Sequence, residues 1–134
     1  MLLNDVFEWI KSLDIQFDNY YIGVLDSKKQ KSLGVYNLKR AALPIIALGG
    51  LKNTSYNIKR ISLLIHWNKA SDESESKATE LFEILMKAKP KKIGIYDINF
   101  IGMLTNGPVD VGRDDNGICE YVIEFEIYYK KQGG

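Results

Sequence analysis

The 134-residue sequence contains one cysteine, Cys119, and one histidine, His66. A single cysteine cannot form an internal disulfide bond, so nothing points to an oxidising compartment. One cysteine and one histidine also fall short of the ligand set of a structural zinc site. A calcium or magnesium site needs only oxygen ligands, so the low cysteine and histidine content does not exclude one.

Long apolar runs and low-complexity tracts are also missing from the sequence. No apolar run approaches the ~18 residues of a membrane-spanning helix. Charged residues follow Met1 within a few positions, so we expect no signal peptide and a soluble cytoplasmic protein. The composition is 46% hydrophobic and 26% charged, which excludes a disordered chain. Without a linker or an internal repeat, residues 1–134 are expected to form one domain.

Acidic residues are absent between Ser27 and Ser71, although the net charge of the whole chain is only +1. Acids outnumber bases between Asp72 and Glu126. Three explanations fit this separation of charge. The subunit could associate with its own copies through complementary faces, the basic segment could bind the phosphate backbone of a nucleic acid, or the charged side chains could simply be solvated in loops. The basic side chains of the acid-free segment are Lys28, Lys29, Lys31, Lys39, Arg40, Lys52, Lys59, Arg60 and Lys69.

The spacing of apolar residues predicts two amphipathic helices. The first spans Leu3 to Leu13, and the second follows the acidic stretch 71–75 and stops before Pro90. Asp72 is predicted to cap the second helix, with Glu75 reaching back to it.

Strands are predicted from β-rich runs and from alternation with a period of two. Residues 60–67 and 120–129 alternate most clearly between two faces, and a loop with a turn-rich composition is predicted over 105–117. One helix between strands, with no second crossover helix, favours an α+β fold with a mostly antiparallel or mixed sheet. Further strands are predicted over 20–25, 33–36 and 93–104, and 43–48 is read as a short strand or a buried loop.

The residues that could serve catalysis or metal binding have simpler structural explanations. His66 lies within a strand pattern beside Trp67, which favours packing or an interface over general-base catalysis. Cys119 opens an apolar strand, which favours a buried thiol over a nucleophile. The loop 110–117 is rich in oxygen ligands but lacks the calcium-loop spacing, and nucleotide-binding or nucleophile-elbow motifs are missing. We therefore predict no enzyme, no cofactor and no metal.

Several runs together resemble the small minor capsid proteins of tailed phages and prophages of Gram-positive bacteria, and among them the tail terminators of siphophages. The resemblance covers most of the chain from about Gly34 onward and rests on the order and spacing of the runs. These runs are Ile45–Gly50, Ile61–Lys69, Glu73–Leu85, Pro108–Ile118 and Glu120–Tyr129.

The resemblance implies an α+β virion assembly protein that forms a ring, expected to be a hexamer, capping the tail tube. Its partners would be its own copies, the tail-tube protein and the head connector, with DNA passing through the ring. The head–tail junction of the virion, assembled in the host cytoplasm, is the implied location. A head–tail adaptor or a tail-tube subunit is the alternative, and a small enzyme or nucleic-acid module the distant one. The candidate interface residues are Lys39, Arg40, Arg60, Val109, Asp110, Arg113 and Asp114.

Overall fold

The computed structural model describes residues 1–39 and 57–131, and for Lys131 only the backbone. It contains two helices and seven strands, which confirms the α+β prediction. In chain order the elements are α1 (Leu3–Ser12), β1 (Asn19–Ile22), β2 (Ser32–Asn37), β3 (Asn57–His66), α2 (Ser71–Lys87), β4 (Lys92–Ile93), β5 (Tyr96–Met103), β6 (Val109–Arg113) and β7 (Cys119–Lys131). The predicted element at 43–48 and the residue Arg40 lie outside the described residues.

The two strands with the clearest alternation form the centre of the sheet. β3 and β7 pair antiparallel in one continuous register, in which Ile61 is opposite Phe125 and Ile65 is opposite Tyr121. Alternate residues of both strands are buried, as their sequence pattern predicts. The buried face joins one hydrophobic core with Val6 and Ile10 of α1 and with the apolar stripe of α2. Both predicted helices therefore pack on the sheet.

The sheet order is β1-β2-β3-β7-β5-β4, and β6 also pairs with β7. β5 pairs with residues 125–131 of β7, and β6 pairs with residues 119–122. Because β3 occupies one edge of β7, β5 and β6 share its other edge, one after the other. β1 and β2 pair in parallel, so the sheet is mixed.

Three local predictions were wrong. The predicted loop 105–117 contains β6, because a segment rich in turn residues still pairs with β7. The predicted strand 93–104 is a hairpin, in which Gly94 and Ile95 connect β4 to β5. Asp72 does not cap α2, since the helix begins at Ser71 and follows Ala70.

Asn68 instead organises the start of α2. Its Oδ1 accepts a hydrogen bond from the backbone N–H of Ala70 at 2.9 Å. The Ser74 hydroxyl lies 3.2 Å from both this Oδ1 atom and the Asn68 backbone carbonyl. The connection from β3 to α2 is thereby fixed by a side chain that precedes the helix.

Candidate functional site

β6 is an exposed strand at the edge of the sheet. All five of its residues are exposed, and Val109 and Val111 are 44% and 51% accessible to solvent. Within residues 1–39 and 57–131, β6 pairs with β7 alone, so its other edge has no strand beside it. An unpaired edge presents backbone N–H and C=O groups that can pair with another chain.

The two charged residues of β6 form hydrogen bonds within their own subunit. The Asp110 carboxylate accepts a hydrogen bond from the Gly112 N–H at 2.8 Å. The Arg113 guanidinium donates to the backbone carbonyls of Lys69 and Gly117, at 2.9 and 2.8 Å, and to the Ser71 hydroxyl at 2.9 Å. Arg113 thus connects the turn after β6 to the start of α2, and its role at an interface stays a prediction.

Arg60 and Lys39, two other candidate interface residues, lie apart from β6. The Arg60 Nε atom lies 3.3 Å from a carboxylate oxygen of Glu126, its register partner on β7. Tyr128 donates a hydrogen bond to the same carboxylate. Lys39 is exposed, two residues beyond the end of β2. Of the basic candidates, Arg60 is therefore held in an ion pair of its own subunit.

The outer surface of α2 is acidic. A shallow depression there is lined by four carboxylate side chains together with Ser76 and Thr79. The four acids, here called the acidic face, are Asp72, Glu75, Glu80 and Glu83. All are exposed, whereas Lys28, Lys29, Lys39 and Lys69 are exposed basic residues of the acid-free segment. The charge separation of the sequence is therefore present on the surface.

Tyr121 connects the acidic face to β6. It is buried on β7 opposite Asp110. Burial raises the pKa of the Tyr121 hydroxyl above its usual value, and the negative charges of Asp110 and Glu75 raise it further. The hydrogen bond from Arg113, the last residue of β6, to Ser71, the first residue of α2, shows that β6 adjoins the start of the acidic helix.

His66 is fully buried, but its partners are polar. It lies directly opposite Glu120 in the β3–β7 register, and its Nδ1 atom is 2.8 Å from Glu120 Oε2. Its Nε2 atom is 2.9 Å from the Ser27 carbonyl oxygen and 3.7 Å from Asp114 Oδ2. The pairing of His66 with Glu120 could have been predicted from the sequence by aligning the alternating patterns of β3 and β7. No sequence pattern indicated that Ser27 and Asp114 would come close to them.

Cys119 is buried and carries a free thiol, as predicted. A groove of about 460 Å³ lies between the end of α2 and β5, and its lining includes Met86, Pro90 and Phe100. Met86 and Phe100 are 59% and 58% exposed, which adds apolar surface outside β6. In the described part of the chain, neither helix is long and apolar enough to cross a membrane.

Comparison with known proteins gives one family. A family model described as bacteriophage tail terminator protein matches residues 3–131, nearly the whole chain. A search of curated proteins found no significant match.

Proposed function

The chain belongs to the bacteriophage tail terminator protein family, and on this premise we propose that it forms a closed ring, a hexamer, that caps the tail tube and joins it to the head connector. Family membership makes the protein a structural component of phage tail assembly and of the virion. Ring closure and the junction with the head connector are the parts of the proposal that experiments must test.

The exposed edge of β6 supports a ring contact and carries the proposal. A closed ring has a heterologous interface, in which each subunit presents two different surfaces to its two neighbours. β6 offers one such surface, with an unpaired edge among the described strands and two exposed valines, Val109 and Val111. A strand or loop of the next copy can add to this edge through backbone hydrogen bonds.

Surface charge supports the choice of a second copy as the occupant of this edge. The helix that carries the acidic face begins next to β6, because Arg113 of β6 donates a hydrogen bond to the Ser71 hydroxyl of α2 at 2.9 Å. The exposed lysines of the acid-free segment, among them Lys28 and Lys39, give the same subunit positive charges that can meet the acidic face of a neighbouring copy. Opposite charges on the two contact surfaces favour head-to-tail association and disfavour pairing of like surfaces.

Light scattering after size exclusion, over a series of protein and salt concentrations, tests the ring. We expect a discrete species with six times the 15.3 kDa mass of one chain, alone or after addition of purified tail tubes. Open-ended growth would instead indicate a tail-tube subunit. A monomer in every condition, including with tail tubes, would contradict the ring.

Val111→Lys tests the β6 interface separately from the ring. A lysine on an edge strand opposes pairing with another chain, so we expect the variant to remain folded and to form no ring. Ile95→Lys is the matched control, because Ile95 is 57% exposed and lies in the β4–β5 turn. Rings formed by wild type and Val111→Lys alike would refute the β6 interface while leaving the ring itself supported.

The basic segment is tested by reversing its charge. Replacing Lys39 and Arg40 by glutamate removes two positive charges from the segment and adds two negative ones. We expect weaker ring formation or weaker binding to tail tubes, with the largest effect at low salt, where charges are least screened. Assembly equal to wild type at low salt would refute a role for these two residues.

A further inference from the structure

Three separate parts of the chain converge on the His66 ring. β3 supplies His66, β7 supplies Glu120, and the turn after β6 supplies Asp114. The loop between β1 and β2 adds the backbone carbonyl of Ser27. The ligand atoms of the three side chains all lie within 4.8 Å of one another. We call these three side chains and the Ser27 carbonyl the His66 cluster.

Both ring nitrogens of His66 face oxygen atoms, and a neutral ring carries only one N–H that can donate to them. Nδ1 is 2.8 Å from a carboxylate oxygen of Glu120, an arrangement in which Nδ1–H donates to Glu120. In that neutral tautomer the lone pair of Nε2 points toward the Ser27 carbonyl and the Asp114 carboxylate. Both oxygens are acceptors, so the space among these three atoms favours a positive charge.

Asp114 has one oxygen available for such a charge. Its Oδ1 atom accepts hydrogen bonds from the backbone N–H groups of Asn116 and Ile118, both at 2.9 Å. Its Oδ2 atom is buried and has no hydrogen-bond partner among residues 1–39 and 57–131. A buried carboxylate oxygen without a partner is costly unless a cation compensates it.

We propose that His66 Nε2, Asp114 Oδ2 and the Ser27 carbonyl oxygen bind one divalent transition metal ion of the zinc type. Ligands bonded at ~2.1 Å and 90–110° apart lie roughly 3.0–3.4 Å from one another. The distances from Nε2 to the two oxygens, 2.9 and 3.7 Å, bracket this range. Imidazole nitrogen favours zinc, nickel or copper over calcium and magnesium, which prefer sites built only of oxygen.

Glu120 holds the ring in the orientation that metal binding needs. A carboxylate that accepts a hydrogen bond from the other ring nitrogen fixes the tautomer of a metal-binding histidine. Solvent reaches this side of the molecule through a cavity of about 310 Å³, lined by residues that include Ser27, Asn116 and Ile118. Water from this cavity would complete the coordination. The ion would join the β1–β2 loop and the turn after β6 to the central strands.

Calorimetric titration of zinc chloride into the metal-free full-length protein tests the site. We expect binding of one ion per chain, and a free zinc concentration 100-fold above Kd should raise the ratio of folded to unfolded protein about 100-fold. Asp114→Asn should abolish this binding, although the amide Oδ1 can still accept the two backbone hydrogen bonds of the turn. Asp110→Asn is the matched control, because Asp110 likewise accepts a backbone hydrogen bond two residues on.

The Glu120→Gln variant tests whether Glu120 orients the His66 ring or binds the metal ion directly. We expect its Kd for zinc to increase ~10–100-fold with the stoichiometry unchanged. Urea unfolding of each variant establishes that it is folded before titration. No saturable binding by the wild type would overturn the proposal. Equal binding by folded Asp114→Asn and wild type would also overturn it.

Discussion

The Nζ atom of Lys77 lies 5.2 Å from the centre of the Trp67 ring. It is equally close to the ring of Phe17, which meets Trp67 edge to face. Only 9% of the Lys77 side chain is exposed, and its nearest carboxylate is Glu80 at 3.5 Å. A buried ammonium group thus connects α2 to two aromatic rings of the hydrophobic core.

Lys77→Ala should lower the free energy of unfolding by about 2 kcal/mol, because it removes a desolvated cation–π contact and the packing of the aliphatic stem. Lys77→Arg should retain most of the stability, since a guanidinium group also stacks on aromatic rings. Urea unfolding measures both effects.

Lys11→Ala is the control for Lys77→Ala. The Lys11 ammonium lies 5.3 Å from the centre of the Phe7 ring, but Lys11 is exposed. An exposed contact of this kind contributes about 0.5–1 kcal/mol. Equal losses for the two alanine variants would show that burial of Lys77 adds nothing to its contact.

Gly94→Ala should destabilise the protein by about 1–2 kcal/mol. Gly94 has a φ of +62°, and an added Cβ would lie 3.1 Å from the Asp5 carboxylate of α1. Gly107→Ala should change stability by less than about 0.5 kcal/mol, because nothing lies within 4 Å of its Cβ position. Thermal or urea unfolding of the two variants checks the contrast, and equal stabilities would disprove it.

Alkaline pH should destabilise the fold through four tyrosines, of which Tyr121 and Tyr129 are buried and Tyr20 and Tyr36 partly buried. Burial is the largest cause that raises the pKa of Tyr20, Tyr36, Tyr121 and Tyr129 above 10. Because the unfolded chain loses these protons first, stability is fully retained below pH 10 and falls as the pH rises further.

Urea unfolding between pH 8 and pH 11, with tyrosinate absorbance recorded in parallel, measures this loss. Tyr121→Phe should make the fall in stability above pH 10 shallower, because one raised pKa is removed. A fall as steep as that of wild type would exclude Tyr121 as a contributor.

Local sequence patterns correctly predicted the elements whose apolar residues recur with the period of a helix or a strand. Apolar residues at helical spacing, such as Val6 and Ile10 of α1, are buried as predicted. The alternation of Ile61, Leu63 and Ile65 gave the correct buried face of β3. Burial of these residues follows directly from their hydrophobicity and period, so no tertiary information was needed.

β6 and the β4–β5 hairpin could not be predicted in this way. β6 has only two apolar residues, Val109 and Val111, and buries neither, so its strand structure depends on hydrogen bonds to β7. The positive φ of Gly94 makes the turn between β4 and β5, whereas the sequence pattern predicted one continuous strand over 93–104. Strand pairing, rather than burial of an apolar face, decided both elements.

The sequence by itself determined the fold class, both helices, the two central strands and the resemblance to the tail terminator family, because hydrophobic period and residue order are local properties. Tertiary structure alone decided the edge position of β6 and the parallel pairing of β1 with β2. It also brought Ser27, Asp114 and Glu120 around His66. Ser27, His66 and the segment 114–120 are far apart in the chain, and only the register of β3 and β7 and the packing of two loops bring the three oxygen atoms within 3.7 Å of a His66 ring nitrogen.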